Sequence, residues 1–164
     1  MRPMRIETPR LLLRSWTQED APSLLAIYSD AAVIEHIPHV RLRDLAAAEA
    51  KVREMQELEA ANGCTLWAVE RGRELIGVCG FRTRDELGFA FRSDVWGQGY
   101  AREAAAACLR WSGQQGVRRI VASTRASNSG ARRVLDKLGF VDTGRASPDG
   151  VWLIYERLTA ESAL

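Results

Sequence analysis

The sequence predicts one mixed α/β (α+β) domain whose sheet is mostly antiparallel and flanked by helices. Three observations lead there. The 164 residues suit one domain of ordinary size. Apolar spacing switches between helical and strand periods in the order β-α-α-β-β-β-α-β-α-β-β. Three consecutive central strands include a pair joined by Arg71-Gly72-Arg73, a hairpin turn.

The elements follow in chain order. Leu11-Leu12-Leu13-Arg14 is a short apolar run after Pro9 and reads as a buried opening strand. Thr17-Gln18-Glu19-Asp20 has capping-box spacing and starts a helix carrying Leu24, Leu25, Ile27 and Tyr28. Pro38 breaks the chain. A second helix runs from about Asp44 to Asn62, with Leu45, Ala48, Val52, Met55 and Leu58 on one stripe and Gly63 as its stop. Thr65–Glu70, Leu75–Phe81 and Leu87–Phe91 are rich in strand formers, with Phe89 and Phe91 on one face of the last. An Ala-rich helix spans Gly99 to about Gln115. Ile120–Thr124 is a strand, Ala131–Leu138 a helix ended by Gly139, and Phe140–Thr143 a strand. After the turn Ser147-Pro148-Asp149-Gly150, Val151–Leu158 is the last strand.

With 46% hydrophobic and 27% charged residues the chain is of globular type, and residues 1–164 read as one unit without repeat or linker. No apolar run reaches the ~20 residues of a membrane span, and the N-terminus lacks a signal peptide's apolar core. Cys64, Cys79 and Cys108 are odd in number and form no CxxC pair, which points to buried free thiols, no metal site and a cytoplasmic location. Net charge is +2, but the first third is acidic and the remainder basic. Arg118, Arg119, Arg125, Arg132, Arg133 and Lys137 face one acid, Asp136, in a single stretch. Such an excess is either a solvated helix face or the surroundings of a polyphosphate. Without a basic stripe interleaved with aromatics, nucleic acid is a poor partner. Nearly all cations are Arg and Ala is abundant, as in bacterial genomes rich in G and C.

The informative junction is Trp96-Gly97-Gln98-Gly99-Tyr100-Ala101, between a strand and a helix. Gly97 and Gly99 permit backbone conformations and approaches that a side chain blocks. The helix start behind them offers unpaired N–H groups and partial positive charge, a site suited to a pyrophosphate. The turn is not a Walker A loop, having no GK[ST]. Nor is it a dinucleotide fingerprint, because Arg102 stands where the third Gly would be.

Glu86-Leu87-Gly88-Phe89 followed by Trp96-Gly97-Gln98-Gly99-Tyr100-Ala101-Arg102-Glu103-Ala104 closely resembles the acyl-CoA motif of the GNAT superfamily. It looks most like the branch of ribosomal-protein N-terminal acetyltransferases. Thr8-Pro9-Arg10-Leu11-Leu12-Leu13-Arg14 is similar to that branch's opening strand. Asn128 and Arg133-Val134-Leu135-Asp136-Lys137-Leu138-Gly139-Phe140 resemble its asparagine and its closing EKLGF. The resemblance implies a single GNAT-like domain, a sheet split in a V, and acetyl-CoA as cosubstrate. It implies that the N–H groups of Gln98 through Arg102 hold the pyrophosphate and that the Phe89–Phe91 edge holds pantetheine. Gly97, Gly99, Tyr100 and Ala101 would shape that site, Asn128 would fix the cofactor's arm unless it only forms an Asx turn, and Arg133 (or Arg132 or Lys137) would face a phosphate.

The activity so implied is N-acetylation of a primary amine, on a protein N-terminus or a small molecule, by direct attack in a ternary complex. No Ser-His-Asp or reactive Cys arrangement argues for a covalent enzyme. Glu86 is the candidate base, and equally an ordinary strand-end charge. Glu103 in the first helical turn reads as structural. His36 and His39 flank Ile37-Pro38 in a loop that in the resembling family borders the substrate cleft; they read as exposed loop residues or as a grip on the substrate, not as a metal pair. Ala131 departs from the branch, where a serine stands three residues after the asparagine. The thiolate's acid would then be Ser129, Tyr155 or water, and Tyr155 also suits core packing. An acetyl-CoA sensor with little transfer activity is the alternative. The apolar last strand suggests an edge open to a second copy, hence a homodimer.

Overall fold

The computed structural model describes residues 2–159. Its strands are β1 Arg5–Glu7, β2 Leu12–Arg14, β3 Leu66–Arg71, β4 Glu74–Thr83, β5 Glu86–Phe91, β6 Arg119–Arg125, β7 Val141–Ala146 and β8 Trp152–Leu158. Its helices are α1 Ala21–Tyr28, α2 Ala31–Ile34, α3 Leu45–Asn62, α4 Tyr100–Gln114 and α5 Ser129–Lys137. The eight strands form one sheet in the order β1-β2-β3-β4-β5-β6-β8-β7. Every neighbouring pair is antiparallel except β5 and β6.

The two sheet faces carry separate cores. Helix α4 lies on one, where Ala104, Ala105 and Cys108 meet Trp67, Ile76, Cys79 and Phe81. Small side chains on α4 let its axis approach the sheet closely, and alanine favours the helix in its own right. On the other face Leu24, Ile27 and Tyr28 of α1 and Ala48, Val52 and Met55 of α3 cover Ala68 and Val78. Alternation along β3 serves both cores: Trp67 and Val69 point to one, Ala68 to the other. Asp44 caps α3 by accepting from Ala47 N at 2.8 Å, and Gly63 ends it. No helix among the described residues is long and apolar enough to cross a membrane.

Two expectations change. The opening segment is a hairpin of β1 and β2 around Thr8-Pro9-Arg10, not one strand. The last strand is not an edge: β8 lies between β6 and β7, and the described edges are β1 and β7. With neighbours on both sides β8 offers no open edge to a second copy, which removes that argument for a dimer. All three cysteines are buried free thiols. Cys79 Sγ lies 3.7 Å from Cys108 Sγ where α4 crosses β4. Burial, then the Cys108 thiol, pushes the Cys79 thiol well above its ordinary pKa, so it stays protonated.

Candidate active site

The strand-to-helix turn is held from outside so that its backbone stays open. Arg92, directly after β5, pairs with Glu74 at 2.7 Å and Asp94 at 2.9 Å. Asp30 accepts from Ser93 N at 2.9 Å and Ser93 Oγ at 2.7 Å, tying the start of α2 to the turn. Burial favours neutral Asp30, but these hydrogen bonds outweigh it and hold the carboxyl below its ordinary pKa. Trp96 donates from Nε1 to Phe91 O at 2.8 Å. Gly97 and Gly99 then take φ of 79° and 82°, the left-handed region that glycine enters without strain. Gly99 is the residue before α4, and residues 96–99 are exposed. The first-turn N–H groups of α4 therefore face outward with no helical acceptors of their own.

The opening hairpin locks this turn in place. Thr8 Oγ1 donates to Glu103 Oε2 at 2.5 Å, Arg10 N donates to the same oxygen at 3.0 Å, and Arg10 Nε to Oε1 at 2.7 Å. Arg10 also donates to Gln98 O at 2.8 Å and lies over the Tyr100 ring at 4.4 Å. Arg71 covers the same ring at 5.4 Å. Burial would raise the Glu103 carboxyl, but Thr8 and Arg10 hold it below its ordinary value. It is an ionised strut. The opening motif and the helix motif, nearly a hundred residues apart, are two halves of one clamp.

Beside the turn the sheet parts. Strands β5 and β6 register at one position, Glu86 with Val121, and Val121 N also donates to Asp85 O at 2.8 Å. Beyond it they diverge, so the Leu87–Phe91 edge lacks a strand partner on that side. The cleft between them has a volume of about 50 Å³, with Leu87, Gly88 and Phe89 on one wall and Ala122, Ser123 and Thr124 on the other. A second cavity of about 260 Å³ lies against α1 and α3, walled by Tyr28, Val40, Met55, Leu66 and Val78. The two share Ile37, Arg82 and Phe89. Burial pushes the Tyr28 phenol up to about 12, so it faces the larger cavity as a neutral hydroxyl.

The residues singled out from sequence lie in several places around the turn and the cleft. Phe89, Asn128 and Ala131 line the cleft, as does half-buried His36, while Phe91 is buried at the end of the same strand edge. Asn128 Oδ1 accepts from Ala131 N at 3.1 Å, which caps α5 and leaves the amide N–H groups as donors. Gly97, Gln98, Gly99 and Arg102 are exposed around the glycine turn with Ala101 partly covered, whereas the Tyr100 side chain is buried. Arg133 and Lys137 are exposed on α5. Glu86 sits at the vertex of the V, 3.7 Å from Arg82. Tyr155 and Arg132 stand apart. Tyr155 is 2% exposed, and its hydroxyl accepts from Arg132 Nε at 3.1 Å, while Arg132 also donates to Ala126 O. Arg132 thus spends its Nε and Nη1 on these two partners. His39 is exposed and packs edge-on against Trp152 at 5.6 Å. Among the described residues no group of three His, Cys, Asp or Glu is placed to hold a metal.

Sequence reading passed over Arg82. Its signal lay in Gly88, a glycine amid strand formers, since the Arg82 guanidinium occupies the space a side chain there would fill.

A glycine turn opening a helix beside a parted sheet makes a scaffold on which a phosphorylated ligand can reach from the helix start into the cleft. Comparison with known proteins makes this specific. Residues 10–141 match the acetyltransferase (GNAT) domain, so the chain belongs to the GNAT family and is an acetyl-CoA-dependent acetyltransferase. It is 30% identical to the protein YkkB of Bacillus subtilis over 82% of this chain and 84% of the relative. It is 28% identical to the N-acetyltransferase YoaA of the same organism over 85% and 84%. Among solved structures, the fold is shared with an acetyltransferase from Salmonella typhimurium that modifies the N-terminal serine of ribosomal protein L7/L12. That likeness has a TM-score of 0.79 at 17% identity, covering 94% of this chain and 99% of the other.

Proposed function

We propose that this enzyme moves the acetyl group of acetyl-CoA to a primary amine by direct attack in a ternary complex. The observation that carries the proposal is the junction of two cavities at Ile37, Arg82 and Phe89. One cavity lies along the free edge of β5 and the other has no strand wall in common with β6, so two substrates can meet without a covalent enzyme intermediate.

Acetyl-CoA supplies the thioester that the amine attacks. Backbone N–H groups of Gln98 through Arg102 hold its pyrophosphate at the positive end of α4. Asn128 donates its amide to the cofactor's arm, and exposed Arg133 faces a phosphate. The N–H groups of the Leu87–Phe91 edge bind pantetheine and stabilise charge developing on the thioester oxygen. Glu86, at the vertex, takes the amine's proton through water. The bond from Arg132 to Tyr155 favours packing over acid catalysis for that phenol, so water protonates the departing thiolate.

The test is thermal unfolding with acetyl-CoA, free CoA and ATP, repeated for Gly99→Glu, alongside thiol release on a panel of amines. A ligand at about 100 times its dissociation constant stabilises the fold by ~2.7 kcal/mol. Both CoA species should raise the midpoint more than ATP does, and Gly99→Glu should lose that response even if its own midpoint is lower. No response to CoA would reject the site. Tight binding with no transfer to any amine would favour a sensor.

A further inference from the structure

We infer that the larger cavity takes a free α-amino acid with an apolar side chain, its carboxylate held by Arg82. The inference rests on the acetyl-transfer reading above and names the acceptor for it.

Arg82 is placed with unusual care for a residue not spent on structure. It sits where the β4–β5 register slips between Phe81 and Thr83, an irregularity of the kind that re-aims side chains. Its guanidinium lies across Gly88: a Cβ there would stand 2.5 Å from Arg82 Nη1 and 2.7 Å from Cζ. Among the described residues the Arg82 side chain has no hydrogen-bond partner, and its ion pair with Glu86 spans 3.7 Å. Arg14 and Arg92, by contrast, each hold two carboxylates at 3.0 Å or less. Arg82 thus presents a planar fork with unspent donors at the junction of the cavities, a geometry suited to a carboxylate.

The surroundings favour an anion there. Lys51, also on the larger cavity, is already paired with Glu54 at 3.1 Å, which leaves Arg82 as the surplus charge on its wall. At the end of β6, Arg125 keeps a buried Nε with no hydrogen-bond partner. Burial, then the fields of Arg82, Arg125 and Lys51, hold the His39 imidazole below its ordinary pKa. A cationic junction of this kind disfavours a polyamine at the Arg82 end of the cavity.

Size and polarity select the rest of the molecule. The cavity's ~260 Å³ lies just below the range of about 300–1,000 Å³ usual for drug-sized ligands. Its walls are apolar apart from the Tyr28 and Thr65 hydroxyls and the charged Lys51, Glu54 and Arg82. A carboxylate on Arg82 places the adjacent α-amine near Phe89 and directs an apolar side chain toward Met55 and Val78. The cofactor's phosphates are a different matter: Gly88 precedes Phe91 by three residues, or roughly 10 Å of strand, and the glycine turn lies beyond it.

The experiment compares kcat/KM, by thiol release, for leucine and phenylalanine against isoamylamine and phenethylamine, which lack only the carboxylate. Spermidine and a ribosomal-protein N-terminal peptide complete the panel. Wild type should prefer each amino acid over its decarboxylated partner by at least about tenfold. Arg82→Gln should lose about 10–100-fold on the amino acids and less than about threefold on the bare amines, while its midpoint still rises with CoA. Arg82→Lys should retain part of the preference, and Gly88→Ala, which displaces the guanidinium, should weaken it. Equal losses on both acceptor classes would mean that Arg82 acts on the thioester, and would overturn the inference. So would a preference for spermidine or the peptide, while failure of every acceptor in a protein that binds CoA would overturn both this inference and the transfer reading, in favour of a sensor. Absence of CoA binding would instead overturn the acetyl-transfer reading beneath it.

Discussion

Arg14 shows how one side chain joins three distant segments. It pairs with Asp20 at 2.8 Å and with Glu70 at 2.8 Å, and its own side chain is 21% exposed. Burial would raise the Asp20 carboxyl, but the Arg14 and Thr17 hydrogen bonds hold it below its ordinary value. A depressed carboxyl contributes stability above its unfolded pKa of about 4 and loses it as pH falls through the folded value. Asp20→Asn should therefore cost about 1–3 kcal/mol at neutral pH in urea unfolding, and the deficit should shrink as pH falls below about 4. A deficit constant with pH would show that packing, not charge, is what Asp20 supplies.

At the scale of elements, the clamp between the opening hairpin and α4 is the distinctive device. Sequence reading took Glu103 as a partner of the helix dipole, and it is additionally the anchor for Thr8 and Arg10. Glu103→Gln should lower the midpoint by about 2–4 °C, near 1 kcal/mol for a partly exposed pair. It should also reduce the midpoint shift produced by CoA, because Gln98 O and the Tyr100 ring are held by the same Arg10. An unchanged CoA response would mean that the glycine turn needs no external support. The hairpin itself was half-legible. β2 has the apolar Leu12-Leu13, but β1 is three residues, Arg5-Ile6-Glu7, with two charges, and only pairing with β2 makes it a strand.

For the whole molecule, the sheet is two halves joined at a single parallel register position and bridged by helices on its faces. A cofactor lying in the V, as proposed above, would supply the pairing that β5 lacks. Amide hydrogen exchange at residues 87–91 should slow when CoA is added, while the core of β4, paired on both sides, should change little. Uniform slowing across the sheet would point to global stabilisation rather than occupation of that edge.

The sequence by itself determined the local elements and the glycine turn that opens α4. Apolar period, caps and glycine positions act over a few residues and need no partner, so α3, α4 and the turn at Gly97 and Gly99 could be read directly. It also marked Asn128, whose Oδ1 cap on α5 is local chemistry. Only the tertiary structure decided which strand became an edge, because β8 reads alike whether one neighbour or two pair with it. Only the structure joined Arg10 to Glu103 and set Arg82 over Gly88. Those contacts depend on strand order and on a register slip of one position, quantities fixed by packing the whole sheet against its helices.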